Sequence, residues 1–189
     1  MSVSNPTQFN SSGRPGLGPQ SADDRIFDIE FDLNGQPEQH SIPTNVTLLD
    51  LLRDGCGKRG VRSSCERSVC GACTVLIDDI PVAACATFAF DVDGARVETV
   101  EGLAAVDGTL NPTQEAFREC GGFQCGFCTS GMLMLTTGLL RENPKPERAE
   151  IREWISSNTC RCTGYEMIME SVERAAELTN AAEAGGETA

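Results

Sequence analysis

The sequence predicts an α+β fold in two successive halves, a small sheet wrapped on one helix and then four helices. Three observations carry that prediction. Between residues 25 and 100, apolar residues alternate with polar ones and are punctuated by turn signals. After about residue 104 the alternation gives way to a helical period. Each half also holds its own set of closely spaced cysteines.

The opening stretch, MSVSNPTQFNSSGRPGLGPQSADD, is rich in Ser, Gly, Pro and Asn and reads as a disordered arm over residues 1–24. It has no apolar core and one basic residue, Arg14, so it resembles neither a signal peptide nor a twin-arginine leader. From Arg25, Phe27, Ile29, Phe31 and Leu33 alternate on one face of a strand, with Ile26 off that face. Asn34-Gly35 signals a hairpin, and EQHSIP is the return strand. TLLDLLRDG is a short helix with Thr47 as its cap, Asp50 three residues on, and Gly55 at its end. A Gly- and Cys-rich loop spans 55–73. TVLIDD and IPVAAC form a second hairpin turning at Asp78-Asp79, and RVETV is the last strand.

Four helices follow. NPTQEAFREC carries Pro112 at its first position, GFCTSGMLMLTTGLLREN ends at Asn143-Pro144, and ERAEIREWISS places Ile151, Trp154 and Ile155 on one face. YEMIMESVERAAEL aligns Tyr165, Ile168, Met169, Val172 and Ala176. The expected plan is an arm over 1–24, a β-rich domain over 25–100, a helical domain over 101–180 and a frayed tail over 181–189. A linker is expected near 91–108.

Composition narrows the function. The chain has 189 residues, is 40% hydrophobic and carries a net charge of −13. That charge argues against nucleic acid, whose phosphates call for a positive surface. Helix faces such as ERAEIRE and ESVERAAE mix their signs, as a solvated surface does. The longest apolar stretch, GMLMLTTGLL, is too short to span a bilayer. Ten cysteines without a secretory leader point to a cytoplasmic, reduced chain whose thiolates are free to bind metal.

Cys65, Cys70 and Cys73 follow C-x4-C-x2-C, and eleven residues separate Cys73 from Cys85. This is the opening spacing of plant-type [2Fe–2S] ferredoxins. Three ligands on one tight loop surround a small cluster from one side, and a fourth closes it. Gly71 and Ala72 let the backbone approach, so that amides can reach sulfur and tune the potential. Zinc and disulfides are the competing readings, but zinc favours paired C-x2-C knuckles. A Rieske centre needs two histidines, and His40 is the sole one, expected as an exposed strand residue. Cys125 and Cys128 are C-x2-C at the start of a helix; Cys160 and Cys162 are C-x-C just before another. Thr163 and Gly164 suit the sharp turn that lets both thiols of the latter pair face one point. Helix N-termini favour the anionic charge of a thiolate-bound cluster. Structural zinc competes here too, and the ferredoxin spacing in the same chain weighs against it.

CERSVCGACTV with Cys85, then QCGFCTSGM, then CRCTGY, make the chain resemble the iron–sulfur subunit of the molybdenum hydroxylases. That family includes xanthine dehydrogenases, aldehyde oxidoreductases, carbon monoxide dehydrogenases and N-heterocycle hydroxylases. The resemblance covers roughly residues 25–180. It implies a β-grasp, plant-type ferredoxin-like domain followed by a four-helix bundle, with two [2Fe–2S] clusters. Cys65, Cys70, Cys73 and Cys85 would hold the outer cluster. Cys125, Cys128, Cys160 and Cys162 would hold the one nearer molybdenum. Gln124 would hydrogen-bond the pterin that carries molybdenum, an amide offering both donor and acceptor, and Cys162 would lie at the same contact. The partners implied are a large molybdopterin-binding subunit and a medium FAD-binding subunit. The implied role is an electron relay within an oxidoreductase, with no catalytic residue in this chain. Three positions depart from the family pattern: Ser64 and Ser68 stand where glycine is usual, and Ser130 replaces a proline. The first two bear on loop tightness and the third on a helix start. Cys56 and Cys120 have no ligand spacing and are expected as small buried apolar residues. The alternative function is a free-standing two-cluster electron carrier; a structural zinc protein is a third reading.

Overall fold

The computed structural model describes residues 26–186. The expected arm lies outside them, as do residues 187–189. Strands β1 (Ile26–Leu33) and β2 (Gln36–Pro43) form an antiparallel hairpin in which Ile26 pairs with Pro43 and Leu33 with Gln36. Asn34 and Gly35 both have positive φ, 55° and 79°, the turn whose twist matches that of the strands it joins. Helix α1 (Leu48–Asp50) widens into a π-helical turn over Leu51–Gly55, closed by the Cys56 amide on the Leu51 carbonyl at 2.9 Å. Thr47 caps it as expected, its hydroxyl accepting from the Asp50 amide at 3.1 Å.

Strands β3 (Thr74–Ile77) and β4 (Ile80–Ala83) meet at Asp78 and Asp79, again both at positive φ. β5 (Arg96–Glu98) completes a sheet of order β2-β1-β5-β3-β4, parallel to β1 and antiparallel to β3. One core lies between this sheet and α1, built on Ile29, Phe31, Leu33, Ile42 and Leu48. The alternation fades at its start: Phe27 is exposed and stacks on Phe90 instead, with ring centroids 5.6 Å apart.

Helices α2 (Pro112–Cys120), α3 (Thr129–Glu142), α4 (Arg148–Ile155) and α5 (Glu166–Gly186) make the second half. Asn111 and Gln114 close a reciprocal capping box on α2 with Pro112 inside it. α3 is buried along its length from Gly131 to Leu140, which explains its weak amphipathic pattern. In α5, Ile168, Met169, Val172 and Ala175 face the core, so Ala175 rather than Ala176 ends the buried stripe. Two expectations need correction. α5 runs to Gly186, well into the segment expected as a frayed tail. Residues 91–108, expected as a linker, are folded: they hold β5 and a 3-10 turn over Val100–Gly102.

The halves share packing. Leu76 of β3 is fully buried within the helical core beside Phe117, Met132 and Ile168. At the edge, Arg141 of α3 grips Glu98 of β5 with two bonds of 2.7 and 2.8 Å, and Asp79 with one of 2.5 Å. Leu76→Ala leaves a cavity where sheet and helices meet, and is expected to cost about 2–5 kcal/mol. The thermal unfolding midpoint of the purified chain checks it.

Candidate metal centres

The first cysteine set is gathered by the loop between α1 and β3 and by the residues after β4. Cys65 and Cys70 lie on the loop, Cys73 at its buried end, and Cys85 in the 3-10 turn Ala84–Ala86. The loop folds back through positive φ at Glu66 (51°) and Ser68 (56°). Ser68 therefore adopts a conformation that glycine takes without strain, a physical consequence of the departure noted in the sequence. The fold turns amides onto sulfur: Ser68 N–H donates to Cys85 Sγ at 3.3 Å and Val69 N–H to Cys65 Sγ at 3.4 Å. Amides of Arg67, Val69 and Cys70 pull the Cys65 thiol down to about 6. Burial pushes Cys73 up to about 12, although the amide of Cys85 opposes it. The backbone amides expected to reach sulfur include those of Arg67, Ser68, Val69 and Cys70, just before Gly71.

The second set comes from the loop before α3 and the loop before α5. Cys128 immediately precedes α3, so the helix begins after the C-x2-C pair and not within it. Gly164 (φ 64°) and Tyr165 (φ 70°) supply the sharp turn beyond Cys160 and Cys162. Thr163 Oγ1 contacts Cys160 Sγ at 3.2 Å, and the Tyr165 hydroxyl accepts from the Cys160 amide at 2.9 Å. Burial raises the Cys160 thiol, but Thr163 and the nearby amides outweigh it and leave it below its ordinary value. Burial pushes Cys128 up to about 12, with Cys160 adding to the rise.

In both sets the thiols pair off. Cys65 meets Cys70 and Cys73 meets Cys85; Cys125 meets Cys162 and Cys128 meets Cys160. Across the pairs, Cys73 feels Cys70 and Cys128 feels Cys125. Among the described residues, no three sulfurs of either set lie within 4.8 Å of one another. A single zinc would draw all four thiolates to about 3.8 Å. Pairs of neighbouring thiols suit a two-iron cluster, with two thiolates to each iron. Beside the second set, the buried hydroxyls of Thr129 and Ser130 and the Asn158 Nδ2 have no partner among the described residues. They are donors still to be satisfied around an anionic group. The residues present thus fit [2Fe–2S] clusters in both places.

What the sequence does not reveal is how the two sets meet. Thr159 N–H donates to the Cys70 carbonyl at 2.9 Å, joining neighbours of one set to the other. Buried Asn158 lies over Gly71, and a Cβ there would fall 1.5 Å from Asn158 Oδ1. Gly131 of α3 packs on the same loop, with space for a Cβ only 2.2 Å from the Gly71 carbonyl. Gly131, one of two glycines inside the pattern of α3, is the sequence signal of this approach; the other, Gly138, packs on Pro81 and Leu76. On the outer face, Gln124, Cys125 and Cys162 are exposed, flanked by Phe123 and Phe127 at 44% and 45% exposure. Arg62 stands 6.0 Å over the Phe127 ring.

Among the remaining cysteines, Cys120 is half-buried and its thiol is raised by burial and by Glu119. Cys56 packs at the edge of the first core, yet its Sγ lies 3.5 Å from His40 Nε2. His40 itself is half-buried and not the exposed strand residue expected.

Comparison with known proteins agrees with this geometry. Residues 31–104 match the family model of the 2Fe-2S iron-sulfur cluster binding domain, and residues 99–173 match that of the [2Fe-2S] binding domain. The chain is 45% identical over 152 residues to the nicotine 6-hydroxylase small subunit of Paenarthrobacter nicotinovorans, covering 80% of this chain and 90% of that one. It is 41% identical over 149 residues to the nicotinate dehydrogenase small FeS subunit of Eubacterium barkeri, covering 79% and 94%. A crystal structure of quinoline 2-oxidoreductase from Pseudomonas putida 86 superposes with a TM-score of 0.79 at 42% identity, covering 85% of this chain and 98% of that chain. Two adjoining 2Fe–2S domains define the class, an iron–sulfur protein with two clusters. The chain belongs to the small iron–sulfur subunits of the molybdenum hydroxylases, and its place is that of an electron-transfer subunit of an oxidoreductase. Among the described residues, no helix is long and apolar enough to cross a membrane.

Gly131→Ala is expected to force the Gly71 loop away from α3 and to lower iron bound at both sets by at least about twofold, as a clash with backbone cannot be relieved by a rotamer change. Iron per chain, assayed after purification, checks this.

Proposed function

We propose that the chain relays electrons from a molybdopterin centre in a large partner subunit towards a flavin in a medium, FAD-binding subunit or another acceptor, in the cytoplasm. Cys65, Cys70, Cys73 and Cys85 hold one [2Fe–2S] cluster; Cys125, Cys128, Cys160 and Cys162 hold the other. When bound, the clusters supply one-electron transfer, chemistry that no side chain here provides. The chain's own residues hold the thiolates, supply amides to sulfur and fix the two sets against each other. The observation that carries the reading is the contact between sets, where the Thr159 amide meets the Cys70 carbonyl at 2.9 Å. Electron tunnelling falls steeply with distance, so a rigid, packed seam between two redox groups favours a relay. Reduced thiolates at both sets call for a reducing compartment.

The exposed face at Gln124, Cys125 and Cys162, with Phe123 and Phe127, supports docking of the large subunit there. Gln124 is then placed to hydrogen-bond the pterin, with Cys162 at the same contact. The domains behind this division are a β-grasp cluster domain over 25–100 and a helical cluster domain over 101–180.

Cys73→Ser and Cys128→Ser are each expected to remove one cluster, about half the iron, whereas Cys56→Ser and Cys120→Ser leave iron unchanged; iron per chain with electron paramagnetic resonance of the reduced protein distinguishes them. Affinity purification from the native host, with molybdenum and flavin assayed in the co-eluting chains, tests the relay itself. A molybdenum-bearing partner is expected; a chain that elutes with iron and no molybdenum would replace this reading with the free-standing carrier. In the complex, Gln124→Ala is expected to slow cluster reduction by substrate about tenfold, the equivalent of one hydrogen bond of about 1.4 kcal/mol, with iron content unchanged.

A further inference from the structure

We infer that Glu38, His40 and Cys56 form a third metal site, separate from both cysteine sets, that takes a zinc-class divalent cation. Glu38 and His40 are alternate residues of β2, so both point to the same face of the sheet. Cys56 closes the π-helical turn after α1 and packs against that face. The carboxylate oxygen, the imidazole Nε2 and the thiol Sγ all lie within 4.8 Å of one another, the sole such trio among the described residues.

The sulfur–nitrogen distance is the one a tetrahedral ion would set, and the nitrogen–oxygen distance is that of a hydrogen bond, which would lengthen by about 0.3 Å on binding. With Zn–S about 2.3 Å and Zn–N and Zn–O about 2.1 Å, tetrahedral ligands stand about 3.6 Å apart for S and N and about 3.4 Å for N and O. Here Sγ to Nε2 is 3.5 Å and Nε2 to Glu38 Oε2 is 3.1 Å. One nitrogen therefore faces two groups. A single ring nitrogen carries either one proton, shared between the carboxylate and the sulfur, or one lone pair, which can face a cation. In the lone-pair form the three groups converge on one point: each ligand gives a cation there a lone pair, and the thiol and imidazole protons leave to solvent.

The setting suits such an ion. The mixed N, S and O donor set is borderline-soft, which favours zinc over magnesium or calcium. The His40 side chain is 18% exposed and that of Glu38 32%, so an ion can enter and keep a water as fourth ligand. Phe31 lies against the imidazole, with ring centroids 6.1 Å apart, and limits its rotation. β2 is an edge strand tied only to β1, and a bond from it to the end of α1 would cross-link the sheet margin to the helix beneath.

The test is zinc titration of the full, iron-loaded chain, with zinc and iron counted together after removal of weakly held metal. The expected result is about one zinc per chain, with a sulfur scatterer near 2.3 Å in zinc-edge X-ray absorption. Cys56→Ser and His40→Gln should each weaken zinc affinity at least tenfold while iron and the visible cluster spectrum stay unchanged. That unchanged iron shows that the variants fold. Zinc that binds equally to the variants, or none retained by the native chain, overturns the site and leaves a Glu38–His40 hydrogen bond beside a spectator thiol.

Discussion

The close approach of the Gly71 loop, the Asn158–Thr159 segment and Gly131 is the constraint on which the arrangement rests. The loop belongs to the sheet half, and the other two belong to the helices. Without a side chain at Gly71, Asn158 sinks to 3% exposure and Thr74 can reach its amide oxygen at 3.3 Å. Without one at Gly131, α3 lies directly against the loop backbone. The cysteine sets then follow from position alone, since Cys70 and Cys73 flank the glycine and Cys160 follows Thr159. Leu76 and the Arg141 clamp brace this seam, one from the core and the other from the rim.

The electrostatics divide along the same line. Thiols turned towards amides and hydroxyls, Cys65 and Cys160, are eased towards their charged form. Buried thiols, Cys73 and Cys128, are held back from it in the bare protein. Each set thus joins a thiol that ionises readily to one that needs a cation before it gives up its proton. The difference has a structural source: the first kind sits where the backbone reverses, and the second where a regular element begins.

Much of this was legible in the sequence, because the signals were local. Asn34-Gly35, Thr47 with Asp50, and Asn111-Pro112 mark their turns and caps through chemistry contained within a few residues. The cysteine spacings mark the sets in the same way. What depended on contacts distant in sequence was not legible. No pattern near Gly71 announces Asn158, which lies on the far side of three helices in the chain. Nor does spacing relate His40 to Cys56, since only the packing of α1 beneath β2 brings them together. The extent of α5 is hidden because NAAEAGG reads as a fading pattern, while Ala has high helix propensity and sustains the helix to Gly186.

The chain order of the elements also sets a timetable. β1 pairs with β2 next to it, but its other neighbour, β5, emerges only after more than sixty residues have passed. On the ribosome, the sheet can therefore close only once Glu98 is out, while Asn158 and the Cys160–Cys162 segment are still to be made. The first set of thiols is complete in a nascent chain whose second set is still half synthesised. During that interval the loop around Gly71 lacks the cover that Asn158 gives it in the folded chain.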